Sequence, residues 1–154
     1  MIKILTEANI RKAKEDAENT LLTSSKIKFS FDRRWSHNFL SQAGVYAIFD
    51  KGTLCYIGQT ANLRERMKEV KRTYNHSFRK KLGYTLGGVI EKRKFSESIE
   101  EELNEYFKNN LTFSALAIDF GRLEIESYLI QKSDDDLLNS RQRRMSRKTE
   151  KNKA

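Results

Sequence analysis

The stretch Gly44-Val45-Tyr46-Ala47-Ile48-Phe49-Asp50-Lys51-Gly52-Thr53-Leu54-Cys55-Tyr56-Ile57-Gly58-Gln59-Thr60-Ala61-Asn62-Leu63-Arg64-Glu65-Arg66-Met67 decides the fold. Ala43–Phe49 and Thr53–Gly58 are two short runs rich in β-branched and aromatic residues, and Asp50-Lys51-Gly52 between them is a turn signal. A three-residue loop would set Phe49 beside Thr53 and Tyr46 opposite Tyr56, with both phenols on one face of the ribbon. After Gly58 the period changes. Leu63, Met67 and Val70 recur at helical spacing, so the ribbon feeds a helix over about 60–72 that carries Arg66.

Net charge outward from this stretch is uneven. The chain of 154 residues carries +9, but residues 60–82 hold eight basic and two acidic side chains and residues 141–154 hold seven and one. Each segment is therefore +6 and the remainder is −3. Excess confined to two segments is the footprint of a polyanion binder, whereas solubility alone would accept any distribution. Arg64, Lys68, Lys71, Arg72, Arg79, Lys80 and Lys81 are the candidate nucleic-acid contacts of the first segment.

Composition excludes other classes. No apolar run approaches the ~20 residues of a membrane span, and Met1–Leu5 lacks the apolar region of a secretion signal. One cysteine, Cys55, cannot form an internal disulfide, and it reads as a small hydrophobe in a buried strand. A reducing, cytoplasmic setting is expected.

The flanking segments complete the architecture. Residues 5–22 form a helical pattern with Ile10, Ala13, Ala17 and Leu21 on one stripe, and Ile27, Phe29 and Phe31 alternate with polar residues as a half-buried strand. Trp35 and Phe39 are spaced for a helical turn. A further helix starts near His76, and another, acidic at its start, follows Ser96. Leu111–Ile118 is a buried strand, and Asp119 is placed to cap a helix running from Gly121 to about Lys132. On that helix two stripes compete for the core: Leu123, Glu126 and Ile130, or Ile125, Tyr128 and Leu129. The first would bury a carboxylate that needs a partner or a metal; the second leaves Glu126 at the edge. Asp134–Asp136 reads as a solvated loop and 141–154 as a flexible basic tail. The expected fold is α+β: a small antiparallel sheet of three strands, or four if Ile27–Phe31 joins, flanked by helices. Residues 1–42 form an extension, 43–140 the central domain and 141–154 the tail.

The triplets Gly44-Val45-Tyr46 and Tyr56-Ile57-Gly58, with Arg66 on the following helix and Glu126-Ser127-Tyr128-Leu129-Ile130 on a helix after the third strand, resemble the GIY-YIG nuclease superfamily. Asn139, thirteen residues beyond Glu126, is similar to an asparagine of many members, and His76-Ser77 resembles a histidine of some. One departure is Val70, which stands where several members have a histidine one turn after the arginine. The resemblance implies phosphodiester hydrolysis of DNA with Tyr46 as base, Tyr56 holding water or phosphate, Arg66 at the phosphate, His76 assisting and Glu126 anchoring Mg²⁺ or Mn²⁺. Asn139 is counted with the nucleic-acid contacts on the same ground.

These roles suit the residue types. Mg²⁺ accepts one carboxylate plus waters and substrate oxygens, and the guanidinium fork matches nonbridging phosphate oxygens. A phenol with an ordinary pKa near ~10 is a weak base unless nearby cations favour the phenolate. Two other readings stand beside the endonuclease of restriction, phage or mobile-element type: a non-catalytic nucleic-acid-binding module on the same scaffold, and a structure-specific repair nuclease. A protein-interaction domain with a basic tail would leave the four-residue set Tyr46, Tyr56, Arg66 and Glu126 unexplained.

Overall fold

A computed structural model of the chain describes residues 6–118, 121–133 and 137–139. The elements are α1 (Glu7–Thr23), β1 (Ile27–Lys28), a 3₁₀ helix (Trp35–Asn38), β2 (Gly44–Asp50), β3 (Thr53–Thr60), α2 (Leu63–Glu69), α3 (Ser77–Thr85), α4 (Glu97–Asn110), β4 (Leu111–Ala117) and α5 (Arg122–Lys132). All pairings are antiparallel and the strand order is β1-β4-β2-β3. The fourth strand is thus real but short. Phe29 is buried just beyond it, while Phe31 remains exposed.

Alternation along the strands divides the core in two. Val45, Ala47, Phe49 and Ile57 face α1 and α5, meeting Ala17, Leu21, Ile125 and Leu129. Tyr46, Ile48, Tyr56 and Phe113 face the other way, meeting Leu63, Met67, Val70, Phe78, Leu103 and Phe107 from α2, α3 and α4. The central strand β2 is buried on both faces, which is why it reads as a continuous apolar run. Trp35 and Phe39 close the second layer by edge-to-face contacts with Phe29, Phe113 and each other.

Local signals set the helix starts. Thr6, Asn62 and Ser96 each accept a backbone N–H of the first turn of α1, α2 and α4, worth about 1 kcal/mol apiece. The residue before α5 is Gly121, at φ 86°; Asp119, Asp134–Asp136 and the 141–154 tail lie outside the described residues. The competition between stripes on α5 resolves in favour of Ile125 and Leu129, which are buried, while Leu123 is exposed and Glu126 is half-buried at the flank.

The hairpin departs from the expected register. Lys51 and Gly52 take positive φ (52° and 84°) and form a two-residue loop, so Asp50 pairs with Thr53. A regular ladder from that turn would set Tyr46 opposite Ile57 and put Tyr56 on the other face. Instead the register shifts between Ile48 and Phe49: Phe49 pairs with Leu54, Ile48 with Tyr56, and Cys55 is the extra residue of a β-bulge. Tyr46 therefore lies opposite Gly58, not Tyr56. The two phenols still share a face, as diagonal neighbours with ring centroids 6.3 Å apart. Cys55 is half-buried beside them and donates its S–H to the Ile48 carbonyl.

Candidate active site

Tyr46 is held over Gly58. A Cβ on Gly58 would fall well inside contact with Cζ and Oη of Tyr46, so hydrogen at this position is what admits the phenol. Its hydroxyl meets His76 Nε2 at 2.8 Å. His76 precedes α3 as its cap, with Nδ1 accepting the Phe78 amide at 3.1 Å. In a neutral ring that leaves the proton on Nε2, which donates to Tyr46 Oη. The His76 ring lies 5.9 Å from the Tyr46 ring and 6.0 Å from the Tyr56 ring, so it bridges both.

Arg66 enters from α2. Nη1 donates to the Asn75 carbonyl at 3.0 Å and to Glu69 at 3.1 Å, and the side chain also bonds Tyr46. Tyr56 bonds the Ser77 side chain, and Lys81 Nζ sits 5.8 Å from its ring centroid. The electrostatics of Tyr46 are opposed: burial raises its pKa most, Tyr56 and Glu126 raise it too, and Arg66 lowers it. Burial and Glu126 also raise Tyr56 against Arg66. The carboxylate of Glu126 is thus felt by both phenols. Additional positive charge is needed before either phenol ionises near neutral pH.

Burial pushes His76 down to about 3, with Arg66 and Lys80 adding to the effect. It is neutral at physiological pH and serves as a hydrogen-bond donor to Tyr46. The unfolded chain takes up this proton near pH 6.5 and the folded chain does not until about pH 3, so stability is lost as pH falls through that window. The part of this window above the carboxylate range is tested by comparing the protein with a His76 variant. His76→Asn, which keeps a capping acceptor, is expected to flatten the fall in melting temperature there. Equal slopes in both proteins, read by thermal unfolding, would contradict the assignment.

Val70, where several members of the resembled family have a histidine, is fully buried in the aromatic layer, and His76 meets Tyr46 from the end of the loop that follows α2.

Two expected nucleic-acid contacts are placed elsewhere. Arg79 is 2% exposed; it donates to Glu100 at 2.7 Å, to Asn104 at 2.8 Å and to Thr73 at 3.1 Å, and it lies over Phe107. It ties α3 to α4. Glu100, in the acidic start of α4, is its counter-ion; desolvation would raise its pKa, but the bonds from Arg79 and Thr73 lower it overall. Asn139 is buried and pairs both ends of its amide with the Ile57 backbone, accepting from N at 3.2 Å and donating to O at 2.9 Å. It satisfies the open edge of β3, where a polar backbone would otherwise be unpaired. Arg64 is half-buried and donates to the Phe39 carbonyl; Lys68 pairs with Glu65 at the surface; Lys71 and Lys80 are half-buried and Arg72 is exposed.

The donor set fits a hard divalent cation held by one carboxylate. Among the described residues no group of three or more His, Cys, Asp or Glu converges on a metal position, so a closed nitrogen or thiolate site is not built here. A single half-buried carboxylate is compatible with a hard divalent cation that keeps several waters. Among the described residues no helix is long and apolar enough to cross a membrane.

A family model described as GIY-YIG catalytic domain matches residues 35–154. No curated protein and no solved structure matches the chain.

Proposed function

Because the chain belongs to the GIY-YIG catalytic-domain family, a family of nucleases, we propose that it is a divalent-metal-dependent DNA endonuclease. The observation that carries this reading is the convergence on Tyr46: His76 and Arg66 both bond it, and Glu126 acts on it through space. A binding module would have no need of a buried phenol held by two donors.

In this reading Arg66 binds nonbridging oxygens of the scissile phosphate, where its planar fork supplies charge-assisted bonds. Tyr46 takes the proton of the attacking water at Oη. His76 fixes that oxygen through Nε2–H and, being neutral, also stabilises the phenolate without competing for the proton. Tyr56 orients the water or a phosphate oxygen. Glu126 would hold Mg²⁺ or Mn²⁺, which supplies Lewis-acid charge at the phosphate when bound. Lys68, Lys71, Arg72, Lys80 and Lys81 add a positive field along the incoming strand. Residues 1–42 serve as an extension on the 43–140 nuclease domain, and the 141–154 segment adds basic charge for DNA.

The test is incubation with supercoiled, linear and branched DNA, with Mg²⁺ and with chelator, mapping the ends produced. Metal-dependent cutting is expected. Salt-sensitive binding without cutting under any of these conditions would favour the non-catalytic module.

A further inference from the structure

Tyr74 stands outside the buried site, on the loop between α2 and α3. It is 53% exposed, although Arg93 lies 4.7 Å and Lys80 5.5 Å from its ring centroid. Arg93 arrives on a tight turn closed by the pair Glu91 and Lys94. Both central residues of that turn, Lys92 and Arg93, have positive φ, 50° and 71°. Glycine or asparagine makes this turn without strain. Two cationic side chains held in left-handed backbone are instead a costly arrangement, which points to a use for the side chains.

The surroundings are basic. Lys80 and Arg93 lie over the ring, and their chain neighbours add Arg72, Lys92 and Lys94, all exposed, with Glu91 the acidic residue of the turn. An aromatic ring stacked with a guanidinium in a positive field suits a nucleobase and its phosphates better than a protein surface. Its place in the chain ties it to the site. Asn75, the next residue, gives its carbonyl to Arg66, and His76 follows.

We infer that Tyr74 and the Lys92–Lys94 turn form a stacking platform for an unpaired nucleotide of DNA flanking the phosphate at Arg66. The inference rests on the nuclease reading for the identity of its ligand. It implies that the chain favours DNA with unpaired bases beside the cleavage point, such as forks and single-stranded ends, over continuous duplex.

Binding is measured on the full chain carrying Glu126→Ala, with fluorescein-labelled single-stranded, forked and blunt duplex oligonucleotides. Adding Tyr74→Ala is expected to weaken single-stranded and forked binding by about 5- to 100-fold, with blunt duplex little changed, while Tyr74→Phe retains binding. Arg93→Ala is expected to reduce the slope of log affinity against log salt by about 0.7–0.9. Unchanged forked binding in Tyr74→Ala, equal losses on all three DNAs, or no binding to any of them would overturn the platform. A Tyr74→Ala enzyme that still cuts and binds forks normally removes the platform and leaves the nuclease reading standing. A chain that never cuts, yet shows the Tyr74 effect on unpaired DNA, does the reverse.

Discussion

Glu126→Ala is expected to abolish detectable cleavage, lowering the rate by on the order of 10³-fold or more, since Lewis-acid charge at a phosphate is worth several kcal/mol. The fold should survive. Ile125 and Leu129 carry the packing of α5, and Glu126 is half-buried at its flank, so the stability change should stay within about 1 kcal/mol. The variant also separates two roles. Glu126 raises the pKa of both phenols, and its removal should move their titration down, as read by ultraviolet absorbance. Were its role only to tune Tyr46, the variant would form phenolate more readily and cut faster near neutral pH. Loss of activity with more acidic tyrosines assigns it to the metal; retained or increased activity refutes that role.

Gly58→Ala should damage the site directly. The new carbon would overlap Cζ and Oη of Tyr46, which is 1% exposed and cannot swing outward freely. The ring must tilt and its bond from His76 Nε2 must lengthen or break. Displacements of about 1 Å in a catalytic group cost roughly 100-fold, and overpacking costs about 1–3 kcal/mol of stability. Gly52→Ala is the control. Its position is at φ 84° with open space around it, so it should lose about 1–2 kcal/mol from backbone strain but retain kcat/KM in the folded fraction. Equal kcat/KM losses in the two variants would show that Tyr46 is not seated as described.

Much of this arrangement was legible in one dimension because it depends on short-range signals. The two triplets, the change of period after Gly58 and the helix bearing Glu126 follow from residue type and spacing, and α5 only had to choose between two adjacent stripes. Arg79 and Arg66 show where that logic stops. Both are arginines on short helices in the same basic segment, yet Arg79 is consumed by Glu100, twenty-one residues away, while Arg66 bonds Tyr46. Only the packing of α3 on α4 separates them. Asn139 likewise meets Ile57 across 82 positions, a pairing no local pattern encodes. The turn at Lys92 and Arg93 lacks the Gly or Asn that announces positive φ, so its carriage of Arg93 to Tyr74 left no trace in composition. The tyrosine register was missed because a bulge leaves no marker of its own: Cys55 is an ordinary strand residue by type.

That bulge has a consequence for how the pair of phenols is specified. A two-residue loop and one extra strand residue are two inversions of side, and together they cancel. What is preserved between Tyr46 and Tyr56 is therefore a parity and not a length. A chain that lost Cys55 could keep Phe49 on Leu54 and Ile48 on Tyr56, presenting the same two hydroxyls from a ladder one residue shorter. One that gained a residue between Leu54 and Tyr56 without a further bulge would move the Tyr56 phenol to the opposite layer, among α1 and α5, with every residue type intact. Counting residues between the triplets is thus a poor ruler for the site, while the side of the sheet on which each tyrosine emerges is a strict one.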